Sequence, residues 1–253
     1  MTVYHHFAQV YARGYYPEFS QALAGLLPGI FEQYEIPRTG NLLDLACGEG
    51  SFALEMAKMG WSVAGIDQSE EMLRLARHRA TTAGLEIEFK QQDMRSFETD
   101  RQYDLITCWF DSLNYLLRIE DVQSAFERAY KALKPGGWFI FDMNTIYGLA
   151  IEWQKQKCYV QQETEDLLEL HQTSYDFEKR MATMRITWFI RNDEIWQKYE
   201  EIHFERAYSV EKIKNALTTT GFSFESVYGS LRNLTPVKQD SSRVWIFAQK
   251  KSQ

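Results

Sequence analysis

Leu42-Leu43-Asp44-Leu45-Ala46-Cys47-Gly48-Glu49-Gly50-Ser51 reads as an apolar strand running into a glycine-rich turn, with Ser51 opening a helix. In a doubly wound sheet the loop after the first strand is where a ligand meets the fold. Gly48 and Gly50 lack a Cβ, so the backbone can approach a bound molecule closely at both positions. The motif alone leaves the ligand open, because Gly48-x-Gly50-x-x-Ala53 also satisfies the relaxed dinucleotide fingerprint.

Outward from this turn, residues 41–143 alternate extended apolar runs with helical patterns, the signature of a parallel sheet covered by helices. Strands are predicted over 41–46, 61–66, 86–90, 103–109 and 137–143, with helices over 51–59, 69–83 and 120–133. In the last helix Val122, Ala125, Phe126, Ala129, Tyr130 and Leu133 follow the helical period, and Pro135-Gly136-Gly137 then breaks it. After Gly148 neither Gly nor Pro recurs until Gly221, and polar and apolar residues alternate. Ala182, Met184, Ile186, Trp188 and Ile190 share one face of an extended run, so residues 151–206 are predicted to form an antiparallel β meander. A helix capped by Ser209 and strands over 222–228 and 244–249 close the chain.

The 253 residues are 45% apolar and 25% charged, which excludes disorder as the main state and fits one domain with an insertion. Acids outnumber bases by 35 to 28, and no Lys/Arg run exceeds two residues. A nucleic-acid partner is therefore not expected, since such surfaces work by neutralising phosphates. No apolar run approaches membrane-spanning length and residues 1–15 lack a signal pattern, so the expectation is a cytoplasmic protein with no membrane partner. Cys47, Cys108 and Cys158 lack any CxxC pairing, and His5-His6 stands without companion ligands, so no disulfide framework and no metal are expected.

Charge at the strand ends narrows the ligand. Asp44, Asp67, Asp93 and Asp111 each stand at the carboxyl end of a predicted strand, where open α/β sheets bind ligands. Several carboxylates around one crevice would repel a pyrophosphate, and residues 41–57 hold no Lys or Arg to compensate. S-adenosylmethionine carries a sulfonium and an ammonium against one carboxylate, so it is net cationic and suits this crevice. Asp67 lies 19 residues after Gly48, close to the offset of about 20 expected of a carboxylate that accepts ribose hydroxyls.

Five segments in order strengthen this reading: Asp44-Leu45-Ala46-Cys47-Gly48-Glu49-Gly50, Gly65-Ile66-Asp67-Gln68-Ser69-Glu70-Glu71-Met72, Gln92-Asp93-Met94, Tyr103-Asp104-Leu105-Ile106 and Leu133-Lys134-Pro135-Gly136-Gly137. With them, residues 1–150 resemble a class I S-adenosylmethionine-dependent methyltransferase of the small-molecule kind. The resemblance implies an α/β, Rossmann-like, doubly wound seven-stranded sheet of order 3-2-1-4-5-7-6, completed by residues 207–253. It implies that residues 151–206 are a β lid over the acceptor, as in sugar-amine N-methyltransferases. The implied cofactor residues are Tyr11, Asp44, Ala46, Gly48, Gly50, Asp67, Gln68, Met72, Asp93, Met94 and Trp109, although Ala12 stands where relatives carry Asp after the tyrosine. Asn114, Asp142, Asn144, Trp188 and His203 are the expected acceptor residues. Tyr115 is the leading choice of base with Asp111 beside it, because the loop that holds both faces the transferring methyl in similar enzymes. The implied reaction is in-line displacement onto an N or O atom of a small molecule, by a monomer or homodimer. An NAD(P)-dependent oxidoreductase and a non-catalytic S-adenosylmethionine-binding module stay open as alternatives.

Overall fold

The computed structural model describes residue 4 and residues 7–13 and 16–252; His5 and His6 lie outside them. The main sheet begins with β1 (Asn41–Leu45), β2 (Ser62–Asp67), β3 (Glu88–Gln91), β4 (Tyr103–Cys108) and β5 (Leu133–Asn144), all mutually parallel. The insertion forms a second, antiparallel sheet from β6 (Cys158–Glu163), β7 (Leu167–Asp176), β8 (Met181–Asn192) and β9 (Ile195–Arg206). β10 (Ser223–Ser230), β11 (Thr235–Pro236) and β12 (Arg243–Gln249) then join the main sheet through antiparallel pairings, β12 on β5, β10 on β12 and β11 on β10, giving the order β11-β10-β12-β5-β4-β1-β2-β3.

The seven expected strands stand in the expected order, and an eighth is added at the edge. β11 has two residues and contains Pro236, which lacks the N–H that would extend a ladder. The third strand starts two residues later than the pattern suggests, at Glu88, and β5 starts earlier, at Leu133. The Pro-Gly-Gly segment joins the ladder because Gly136 N donates to Lys250 O at 2.6 Å and Lys250 N donates to Gly137 O at 2.9 Å.

Alternation along the strands sends apolar side chains to both faces. Phe139 and Phe141 of β5 meet α5 (Ile119–Ala132) and α6 (Val210–Thr219), whereas Trp138 and Ile140 face α2 (Tyr16–Gln33) and α3 (Ser51–Lys58). Such two-sided burial is expected where helices cover a parallel sheet on both faces. Ser209 caps α6 by accepting Lys212 N at 3.3 Å. Ser69 likewise caps α4 (Glu70–Thr82) through Met72 N.

The lid sheet does not stand alone. Phe7 and Val10, from α1 (Ala8–Arg13) and the residue before it, pack with Leu167, Ile186 and Trp188. The N-terminal segment is thereby held between the lid and the main sheet. All three cysteines are free. No helix among the described residues is long and apolar enough to cross a membrane.

Phe126 is fully buried between α5 and the rings of Phe139 and Phe141 at 5.7 and 5.5 Å. Phe126→Ala should cost about 3 to 5 kcal/mol of folding stability, read from urea unfolding midpoints at constant m.

Candidate functional site

The carboxyl ends of β1, β2 and β4 open into a cavity of about 280 Å³. Asp44, Ala46, Cys47, Gly48 and Glu49 form one wall; Ile66, Asp67, Gln68 and Met72 form the next. Gln92 and Met94 follow, and Trp109, Phe110, Ser112 and Tyr115 stand opposite. Tyr4, Tyr11 and Ser20 of the N-terminal segment close the remaining side.

Backbone shape is part of the site. Gly48 holds φ +55, and a Cβ built there would meet no protein atom within 4 Å, so the turn leaves room beside it. Gly65 in β2 serves packing instead, since a Cβ there would sit 2.8 Å from Cys47 Sγ and from the Phe89 ring. Ala46, Phe110 and Asp111 also take left-handed φ of 54, 59 and 51 degrees. Strained non-glycine residues of this sort gather at binding sites, where surrounding structure holds them.

Two recessed carboxylates face the cavity. Asp67 bridges two loops, its Oδ2 accepting Gly48 N at 2.9 Å and its Oδ1 accepting Ser69 N at 2.8 Å. It is part-exposed and lines the cavity, and desolvation pushes its carboxyl up despite those N–H donors. Asp44 is 2% exposed and accepts Thr107 Oγ1 at 2.8 Å. Burial pushes it up to about 7, with Thr107 opposing and Asp67 adding to the rise. Among the described residues no Lys, Arg or His pairs with either carboxylate. The charge of Glu49, by contrast, is met by Arg79 and by Ser51 Oγ at 3.0 Å. Burial pushes the Cys47 thiol well up, so it sits in the wall as an inert group. Trp109 Nε1 is buried in the opposite wall without a hydrogen-bond partner.

The cavity gathers most of the predicted cofactor residues: Tyr11, Asp44, Ala46, Gly48, Asp67, Gln68, Met72, Met94 and Trp109, together with Tyr115. Several others lie elsewhere. Gly50 turns the chain into α3 at φ +82, packed on Ala76 and Phe89. Asp93 is drawn aside by Arg95, whose Nε donates at 2.9 Å; burial raises its carboxyl, but these hydrogen bonds outweigh that and hold it low. Its neighbours Gln92 and Met94 take the wall in its place. Asp111, expected beside the reacting atoms, is instead an ion-pair partner of Arg243 at 2.6 Å. Arg243 also pairs with Asp142, whose Oδ2 accepts Asp111 N at 3.0 Å. Burial pushes Asp142 up to about 6, against the pull of Arg243.

The expected acceptor residues are equally structural in placement. Asn114 donates to Asn144 O at 3.0 Å and Arg206 O at 2.9 Å, and accepts Asn144 N at 2.9 Å. Asn144 donates on to buried Glu205. Trp188 is buried against Phe7 and stacks on Tyr199 at 5.7 Å. His203 is 2% exposed and does not line the cavity, but cavity-lining Tyr115 holds its Oη 3.0 Å from the His203 Nδ1. Sequence reasoning passed over Tyr4, Ser20, Gln92, Phe110 and Ser112. Gln92 lies inside a quoted motif and Phe110 and Ser112 adjoin Trp109 and Asp111, whereas Tyr4 and Ser20 have no local signal.

A methyltransferase-domain family profile matches residues 42–137. YqeM of Bacillus subtilis (strain 168), named as a candidate methyltransferase, is 33% identical over 216 residues, spanning 85% of this chain and 86% of its own. The crystal structure of an S-adenosylmethionine-dependent methyltransferase from Clostridium acetobutylicum ATCC 824 superposes with TM-score 0.80 at 25% identity, covering 90% of this chain and 91% of that one. This chain belongs to the S-adenosylmethionine-dependent methyltransferases. The methyltransferase shares its fold with CalS10 of Micromonospora echinaspora, an amino pentose methyltransferase solved with the cofactor bound (TM-score 0.73, 19% identity, 96% and 97% coverage). The hydride-transfer reading of the glycine turn falls away with this membership.

The residues present fit the methyltransferase cofactor. Two carboxylates without a cationic partner, a turn with open space beside Gly48, and an unpaired buried indole N–H suit a compact ligand that bears positive charge and hydrogen-bonding groups.

Asp44 gives a pH test. Its carboxyl lies near 7 in the fold against 3.8 otherwise, so its stabilising contribution is complete below about pH 4 and is lost as pH rises through 7. Asp44→Asn should therefore be more stable than wild type at pH 8 by on the order of 2 to 4 kcal/mol, a gain that shrinks toward pH 4. Urea unfolding at pH 4, 6 and 8 checks this, and a constant difference would contradict it.

Proposed function

We propose that this methyltransferase moves a methyl group to an N or O atom of a small-molecule acceptor. The observation that carries the reading is the two-sided cavity: Asp44 and Asp67 make one side anionic, while Tyr4, Tyr11, Phe110 and Tyr115 make the other aromatic and phenolic. The N-terminal segment closes one side of it and is itself backed by the lid, which suits a small acceptor better than a polymer. The net charge of −7 agrees with an acceptor other than nucleic acid.

When bound, S-adenosylmethionine supplies a methyl group already activated on a sulfonium, so the protein contributes position and electrostatics. Asp67, fixed by two backbone N–H groups, would hold the ribose hydroxyls, and Ala46 and Gly48 would present backbone to the amino acid part. Asp44 would offset positive charge across the cavity. Gln68, Met72, Gln92 and Met94 would border the base, and Met94 takes the place expected of Asp93. Tyr11, stacked on Tyr16 at 4.4 Å, is held rigidly on the side where the acceptor would enter. Tyr115 offers a hydroxyl to the acceptor and excludes water with its ring. Residues 151–206 act in this scheme as the acceptor-recognition unit, and Asp111, Asp142, Asn114 and Asn144 as its supports.

Methyl release from labelled cofactor tests the reading, with amino sugars first in the panel, given the described activity of CalS10, then other amines and hydroxyl compounds. Turnover of a small amine or alcohol is the expected result; transfer only to protein or RNA would overturn it. Asp67→Ala should weaken S-adenosylhomocysteine binding by about 1.5 to 3 kcal/mol through lost charge-assisted hydrogen bonds. Calorimetry reads this directly, and an unchanged dissociation constant would move the ribose elsewhere.

A further inference from the structure

We infer that Tyr115, His203 and Glu201 form a proton relay that carries the acceptor's proton out of the cavity and into the lid. The inference rests on the small-molecule methyl-transfer reading above and assigns that reaction its path for the proton.

Tyr115 belongs to the 3-10 turn Ser112–Tyr115 after β4 and lines the cavity. His203 lies on β9 in the lid, walled by the rings of Tyr115, Tyr4 and Phe7 at 5.9, 5.0 and 6.2 Å. Tyr115 Oη is 3.0 Å from His203 Nδ1. The other ring nitrogen, Nε2, is buried with no hydrogen bond, and Glu201 Oε2 stands 3.5 Å from it. Glu201 and His203 are two apart on one strand and so share a face. Glu201 is itself fixed, accepting Tyr4 N at 2.9 Å and Phe7 N at 3.1 Å.

The carboxylate decides the imidazole tautomer. A lone pair on Nε2 would face the anion at 3.5 Å and be repelled, whereas an N–H there is attracted. Nε2 therefore carries the proton, and Nδ1 presents its lone pair to the Tyr115 hydroxyl. Tyr115 donates to Nδ1 and keeps its own lone pairs for the cavity, where Tyr4 Oη lies 3.0 Å away. The Tyr4 hydroxyl marks where an acceptor N–H or O–H would donate.

In the reaction the acceptor N or O forms a bond to the methyl carbon as the carbon–sulfur bond breaks and leaves its electron pair on sulfur. The surplus proton on the acceptor passes to Tyr115 Oη, and the proton of Tyr115 passes to His203 Nδ1. The imidazolium that results faces the Glu201 carboxylate. No oxidant or further reactant enters. Two observations show why the chain does not end at Tyr115 or run to Asp111. Burial, reinforced by Tyr4, Glu205 and Asp111, drives the Tyr115 hydroxyl well up, so it transmits a proton and does not rest as phenolate. Asp111 already neutralises Arg243. Tyr115 is the catalytic residue in this scheme; His203 and Glu201 act through it as positioning residues.

Long-range 1H–15N correlation spectra of the full-length, histidine-labelled protein test the arrangement without cofactor or acceptor. The His203 signal is assigned by its loss in His203→Gln. The expected result is the Nε2–H tautomer, a shift of Nδ1 alone in Tyr115→Phe, and a mixture of tautomers in Glu201→Gln, since an amide can face either form. An Nδ1–H tautomer in wild type, or no response to Glu201→Gln, would overturn the relay. A latch that merely ties the lid to the 3-10 turn would not depend on the tautomer. With an acceptor from the panel, Tyr115→Phe and His203→Gln should each lower kcat by about 100-fold, leaving the cofactor KM within about twofold. A kcat loss matched by an equal KM rise would also overturn it. Silence of the whole panel would count against the small-molecule reading, and the spectra would still decide the relay.

Discussion

The Asp67 carboxylate, shared between Gly48 N and Ser69 N, is the contact on which the site is built. It ties the loop after β1 to the start of α4, so the glycine turn and the second strand end hold one geometry. Those donors are backbone groups, which orient the carboxylate without neutralising it. Asp44 adds a second carboxylate whose partner is the Thr107 hydroxyl. Desolvated acids without a counter-ion are costly, and burial accordingly pushes both carboxyls up.

A few residues away the same kind of charge is handled in the opposite manner. Arg243, at the start of β12, meets Asp111 and Asp142 at the ends of β4 and β5. Its guanidinium also lies over the rings of Phe19 and Phe110, at 5.6 and 5.9 Å. One arginine thereby withdraws two strand-end acids from solution chemistry and turns them into a support under the cavity wall. Asn114 and Asn144 extend that support to Glu205 and the backbone of Arg206, coupling the main sheet to the lid.

The lid works by similar coupling. Tyr16 donates to Glu169 at 2.7 Å within a buried group that includes His171 and Gln162, while Tyr11 stacks on the same tyrosine and faces the cavity. A polar network inside a thin sheet fixes one arrangement, because each member left unpaired would be costly. The N-terminal segment is thus placed by the lid and by Ser69, which donates to Tyr4 O at 2.9 Å. Cavity wall, N-terminal segment and lid are thereby joined, with Tyr4 and Tyr11 lining the cavity on one side and packing with lid residues on the other.

While the order of the strands came from the family resemblance, the amino-acid sequence by itself determined the alternation of strands and helices, the serine caps of two helices, the glycine turn and the presence of acids at the strand ends. These follow from periodicity and from partners within a few residues, as at Ser69 and Ser209. Asp93 was expected at the cofactor, yet Arg95, two residues on, pairs with it. Tertiary structure decided which acids face the cavity. Asp111 is taken up by an arginine 132 positions away, and Tyr4 reaches Tyr115 across 111 positions. It also decided that His203 meets the site through a phenol, that Trp188 packs against the N-terminal segment, and that a two-residue strand extends the sheet. The physical reason is common to these cases: local pattern sets backbone conformation, whereas the fate of a charge or ring depends on which distant group the completed fold brings within hydrogen-bonding distance.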